Sequence, residues 1–260
     1  MPLSKNVKRQ IEDMLVKTVS EKLEKYKPET SYMPFHFNLI GKDIYALFSF
    51  IQSINTTFGT SIWEQLGVLL ASDKGKQAKR QYKLPGSIDN NTESLIINYV
   101  NQLRAGLISP DKQKEKNIIK NSIISADNSI NDPDRTVDLF VINLDNSEEY
   151  YDITSAKPNM KEFATLKTKL LRWVALRYSV DNTVSTETML GIPYNPYYPK
   201  PYERWTLKGL YDIDREILVG RKLWNHLYDE DIYDELLDAF KDAGTKLRPL
   251  IDNKFKEFKN

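Results

Sequence analysis

The chain has no cysteine among its 260 residues, which removes disulfides, thiolate zinc sites and cysteine nucleophiles from consideration. Histidine is almost as scarce. Only His36 and His226 occur, far apart and in unlike surroundings, which argues against a His-rich metal site or a Ser-His-Asp triad. No apolar run approaches the ~20 residues of a membrane span, and the opening MPLSKNVKRQIEDML lacks the apolar core of a secretory signal. The expectation is a soluble, cytoplasmic protein without a membrane partner. An excess of charge of one sign is also missing. With 37 basic and 36 acidic residues the net charge is +1, which argues against a histone-like nucleic-acid coat. A local basic surface stays possible, because only charges within about a Debye length of a phosphate count. What is present is an ordinary globular balance, 40 % apolar and 28 % charged, enough for a substantial core.

Organisation along the chain is mixed. Residues 7 to 26 read as an amphipathic helix with Ile11, Met14, Leu15, Val19 and Leu23 at helical spacing. A helix is expected at 43 to 54, and GTSIWEQLGVLLAS opens on a capping signal and continues as a buried helix to about Ala71. Residues 72 to 92, lysine-rich with Pro85-Gly86 and Asn90-Asn91, read as a loop. A helix at 92 to 105 and a polar stretch at 109 to 122 lead to two strands, then a helix at 160 to 178 and a β-like run at 184 to 192. Prolines exclude regular structure from GIPYNPYYPKPYERW, and the chain closes on helices at 221 to 228, 230 to 242 and 245 to 258. Without repeats or a long linker, the expectation is one α/β domain over 1–260. It has a helical N-terminal part (1–125), the two strands and following helix (135–178), and an aromatic-proline and helical C-terminal part (184–260).

The segment RTVDLFVINLDNSEEYYDITSAKPN, 135 to 159, carries the chemistry. It reads as two short strands joined by a polar turn, each with a carboxylate, Asp138 and Asp152. By strand alternation Asp138 shares a face with Phe140 and Ile142, and Asp152 with Tyr150 and Thr154. Adjacent strands whose polar faces agree would bring the pair to one cation, which could activate water and neutralise charge on a phosphate. The competing reading is that both aspartates merely end strands or cap turns. Asp134, in Pro133-Asp134, is a weaker candidate because it falls in a turn-like NDPD.

These residues resemble the PD-(D/E)XK nuclease superfamily, and more narrowly a family of type II restriction endonucleases reading GGNCC-like sites. The resemblance runs through MPFHFNLIG (33–41), INTTFGTSIWEQLGVLLA (54–71), VDLFVINL (137–144), YYDITSAKPN (150–159), LKTKLLRWVA (166–175) and IPYNPYYPKPYERW (192–205). It implies a four-stranded mixed sheet flanked by helices, Mg²⁺ held by Asp138 and Asp152, and Glu64 as a further acidic ligand from a helix. It also implies double-stranded DNA as partner and a homodimer matching a palindromic site. Thr154 departs from the pattern, because it stands where such a motif has its lysine. Three readings stay open: Lys157 swings in from the strand end, hydroxyl and metal suffice, or the chain is an inactive form that binds metal and DNA without cutting.

Guanine edges suit Arg or Lys, and cytosine suits a carboxylate. Lys157, Asn159, Lys161, Lys167, Lys169, Arg172 and Arg177 surround the post-motif helix, while Asn195, Lys200, Tyr202 and Arg204 lie in the aromatic-proline segment. That segment reads equally as packing over a sheet edge. KGKQAKRQYK, 74 to 83, suits phosphate contacts or is a solvated loop.

Overall fold

Capping residues and hydrophobic spacing set most of the helices. In the computed structural model, which describes residues 3–27, 32–123, 129–130, 134–154, 156–207 and 209–259, the chain divides into two units. Pro133 of the Pro133-Asp134 dipeptide falls outside the described residues.

The helical unit comprises Met1–Leu69 and Glu230–Asn260. Its first helix, α1 (Lys5–Lys25), starts where the Ser4 side chain accepts from Val7 N at 3.2 Å. Val7, Ile11, Leu15, Val19 and Leu23 form its buried stripe, four residues apart, and Met14 lies beside that stripe. The stripe packs on α10 (Tyr233–Lys259). Between them in sequence come α2 (Pro34–Ile40), α3 (Lys42–Thr57) and a π-helical turn (Phe58–Ile62). The helix α4 (Trp63–Asp73) then carries the chain into the second unit. Two helices expected at 230–242 and 245–258 are one. Pro249 lies inside α10, where it removes one backbone donor but does not end the helix.

The sheet unit, Leu70–Asp229, holds a five-stranded sheet ordered β1-β4-β5-β6-β7. Its strands are β1 (Gln77–Lys83), β4 (Thr136–Ile142), β5 (Glu148–Ile153), β6 (Thr186–Ile192) and β7 (Ile217–Val219). A two-stranded pairing joins β2 (Ile88–Asp89) to β3 (Ser129–Ile130). The strands β1, β4 and β5 run antiparallel in turn, whereas β5-β6-β7 are parallel. The sheet is thus the expected mixed one with a further strand. The extra member is β1, which replaces the loop expected at 72–92. The long crossover from β5 to β6 is α7 (Met160–Val180), opened by a capping box between Asn159 and Glu162. The helices α5 (Asn90–Arg104) and α6 (Lys112–Ser122) pack on α7, so the polar stretch at 109–122 is largely helical. The short α8 (Ile213–Glu216) and α9 (Arg221–Tyr228) flank β7.

Trp173, Phe163, Leu170 and Val174 bury α7 against Tyr150, Leu190 and Ile192 of the sheet. One glycine is required for that fit. Gly86 has φ 92°, and a Cβ there would meet the carbonyl oxygen of Leu176 at 2.3 Å, so only glycine lets the chain pass beneath the end of α7.

Candidate active site

Strand register decides whether the two aspartates can cooperate. Leu139 pairs with Tyr151 and Phe140 with Tyr150, so one step further along the ladder Asp138 stands opposite Asp152. Residues opposite one another point to the same face, with Cβ atoms about 5 Å apart. That face is the one covered by α7. Phe140 and Tyr150 meet there with ring centroids 5.2 Å apart, and Asp152 is buried beside them. Asp138 Oδ2 accepts from the backbone N of Ile153 at 2.8 Å, which fixes the first carboxylate to the second strand. On the far side of β4 the ladder passes from Arg80–Leu139 to Tyr82–Val137, leaving Gln81, at φ 48°, opposite Asp138. A non-glycine residue there stores ~1–3 kcal/mol of strain, the kind of outlier that clusters at functional sites.

A positive charge reaches the pair from the helix. Lys169 of α7 extends its ammonium to Asp152 Oδ2 and forms a short ion pair. Burial pulls the Lys169 pKa down. The attraction and hydrogen bond of Asp152, joined by Asp138 and Asp134, outweigh this and hold it above the usual lysine range. The ammonium also lies 5.0 Å from the ring centre of Trp173. Thr154 itself is half-buried at the strand end, its N–H donating to Gly191 O at 3.0 Å. Lys157 is exposed and sits over the Tyr197 ring at 5.2 Å. Lysine at position 169 gave no strand-motif signal; its four-residue spacing from Trp173 on one helical face was the available hint.

Oxygen-only donors of this kind suit a hard divalent cation such as Mg²⁺, which takes one or two carboxylates and completes its shell with water and phosphate. Among the described residues no group of three or more histidine, aspartate or glutamate side chains converges. Glu64 lies buried in the first turn of α4, in the helical unit.

The remaining candidates divide by what already holds them. Asn159 caps α7 by accepting from Glu162 N at 3.0 Å. Arg172 binds Glu93 and, at 3.2 Å, Asp134, whose carbonyl also receives Trp173 Nε1 at 2.8 Å. Arg177 grips Glu148 through Nε and Nη2 at 2.7 and 3.1 Å. Tyr202 donates to Ala156 O at 3.0 Å and Arg204 to Pro158 O at 2.8 Å, which fastens the aromatic-proline segment to the chain just after β5. Asn195 braces that segment through Tyr197 N and Lys200 O. Lys161 and Lys200 are exposed.

A second charged cluster lies deeper under α7. Lys167 reaches Glu115 at 2.7 Å and both oxygens of Glu216 at 2.8 and 2.7 Å, and Lys112 joins Glu216 at 3.0 Å. All four side chains are buried. Burial raises the Glu115 pKa against the pull of Lys167. Burial also acts to raise that of Glu216, but Lys112 and Lys167 overcome it and leave Glu216 below the usual range. Burial, then the charge of Glu115, pushes the nearby Tyr99 phenol up to about 12.

A mixed sheet whose antiparallel pair presents two cross-strand carboxylates, flanked by helices, is the restriction-endonuclease-like fold. The sequence bears this out. Residues 3–244 match the family described as type II restriction endonuclease, HinfI, and the chain belongs to that family. It is 27 % identical over 219 residues to the type II restriction enzyme HgiCII of Herpetosiphon aurantiacus, spanning 81 % of this chain and 77 % of that one. It is 23 % identical over 258 residues to the type II restriction enzyme MjaII of Methanocaldococcus jannaschii, covering 89 % and 68 % respectively. Among the described residues no helix is long and apolar enough to cross a membrane.

Proposed function

We propose that this chain is a Mg²⁺-dependent nuclease that cuts double-stranded DNA at a short G·C-rich palindrome of the GGNCC kind. It acts in the cytoplasm as a homodimer, whose two-fold axis matches that of the site. The observation that carries this reading is the Asp138–Asp152 pair on one face of the sheet with the Lys169 ammonium against it. Asp138 and Asp152 would hold the ion, and among the described residues Glu64 joins no group of three acidic side chains that could share it. When bound, Mg²⁺ neutralises charge on the phosphate and lowers the pKa of a coordinated water.

The chain's own residues do the rest. Lys169, with its pKa above the usual range, stays protonated at neutral pH, so it serves as a fixed cation and donor toward the scissile phosphate, not as a base. The Ile153 N–H orients Asp138, and the Thr154 hydroxyl, next along the strand, would hydrogen-bond a water. Lys157, Lys161 and Lys200 are exposed and suit phosphate or guanine contacts. Asn159, Arg172, Asn195, Tyr202 and Arg204 position the elements around them through the hydrogen bonds described above.

The test is plasmid DNA incubated with the purified protein and Mg²⁺ or Mn²⁺. Discrete fragments whose ends share a GGNCC-like sequence support the proposal; intact plasmid under both ions overturns it. The second reading, a non-cleaving DNA-binding protein, is favoured by Thr154. It expects a Ca²⁺- or Mg²⁺-dependent gel shift without fragments.

A further inference from the structure

Between Met33 and Trp63 only Lys42 and Asp43 carry a formal charge, in a chain that is 28 % charged overall. The same stretch forms α2 and α3 of the helical unit, and six of its exposed side chains are large and apolar. Phe35 and Leu39, one turn apart on α2, are 86 % and 83 % exposed, with Ile40 beside them. Ile44, Phe48 and Ile51 follow at i, i+4 and i+7 on α3. These side chains are not needed for the unit's own core, because α3 packs inward through Phe50 and Ile54 against Val19, Leu23, Tyr26 and Leu247. Ile51 also borders an apolar groove of about 310 Å³ lined by Leu15, Val19, Phe58, Phe240 and Leu247, a concave counterpart to the projecting Phe35 and Leu39.

We propose that this α2–α3 face is where a second copy of the chain docks across a two-fold axis, an assignment that rests on the homodimeric reading above. Together the six side chains expose on the order of 700 Å², near the ~800 Å² each partner gives to a standard interface and beyond the patch a monomer ordinarily shows. Depletion of charge at the centre is the mark of an interface core. An uncharged apolar face is complementary to itself, as a two-fold contact demands. DNA would require basic residues, and a helix lying on an anionic membrane carries several lysines or arginines, where this face has Lys42 alone.

Sedimentation of the full chain, with and without a GGNCC-containing duplex, tests the assignment. The wild type sediments as a dimer of 30.3 kDa subunits. Leu39→Glu and Phe48→Glu raise the dimer dissociation constant roughly 100-fold or more, with unchanged circular dichroism because both side chains are exposed, and with a melting temperature lowered toward that of the separate monomer. Leu237→Glu, on an exposed position of α10, stays dimeric. A wild type that is monomeric in both conditions, or Leu39→Glu and Phe48→Glu proteins that remain dimers, overturns the assignment. So does a monomeric wild type that floats with phosphatidylglycerol vesicles while the variants do not. The readout needs no catalysis, so a dimer broken by these changes upholds the face even if plasmid stays intact. Plasmid cleavage by a monomer overturns the face and leaves the nuclease reading standing.

Discussion

Lys167 and Lys169 stand two residues apart on α7 and enter clusters of different kinds. Lys167 is sealed among Glu115, Glu216 and Lys112, two positive against two negative charges, with every member buried. Lys169 faces Asp152 directly, with Asp138 and Asp134 close enough to raise its pKa, and its side chain retains some exposure. The first cluster is internally balanced and ties α6, α7 and α8 together. The second carries an excess of negative charge at the edge of solvent, the condition under which a divalent cation is attracted. A helix can thus use one lysine to fix its position while another, about 200° round its axis, stands beside the two strand carboxylates.

Replacing the inner lysine breaks the comparison most severely. Lys167→Met should cost about 5 kcal/mol, at the upper end for a broken buried pair because two carboxylates lose a partner; urea unfolding measures this, and a loss under ~1 kcal/mol would mean the cluster is not structural. Asp152→Asn should lower cleavage ~10³-fold, about 4 kcal/mol of barrier, while the melting temperature stays close to wild type. Lys169→Ala should cost ~10²-fold in single-turnover rate; an undiminished rate would show that the helix cation plays no part. Thr154→Lys should change the rate less than ~10-fold, because Lys169 already fills that electrostatic role. A large gain would favour the impaired reading instead.

The smallest effect concerns pH. The Lys169 pKa is raised in the folded protein, so its ion pair contributes fully below the ordinary lysine value and is lost only as pH rises through the raised one. Cleavage should therefore show no alkaline decline due to Lys169 between pH 7 and about 9. A decline in the wild type that Lys169→Ala abolishes contradicts this.

The sequence made the β4–β5 pair legible because period-two alternation and a polar turn are local signals, and so was α7, with its Asn159–Glu162 capping box. The strand β1 was not. QAKRQYK has a poor β composition, and its alternately exposed pattern is that of an edge strand whose only warrant is a distant partner in β4. Gly244 sits at the gap between the two expected helices, a local break signal that α10 overrides as it packs along α1 from the other end of the chain. The pairing of Lys169 with Asp152 was hidden for a like reason: a motif is read along one strand, whereas this charge arrives across space from the crossover helix.

Gly86 has a bearing on the site that its distance in sequence conceals. Its missing side chain lets α7 settle, near Leu176, about two turns beyond Lys169. A larger residue there would act as a wedge under the far end of a lever, tilting the ammonium away from Asp152 without touching any reacting group.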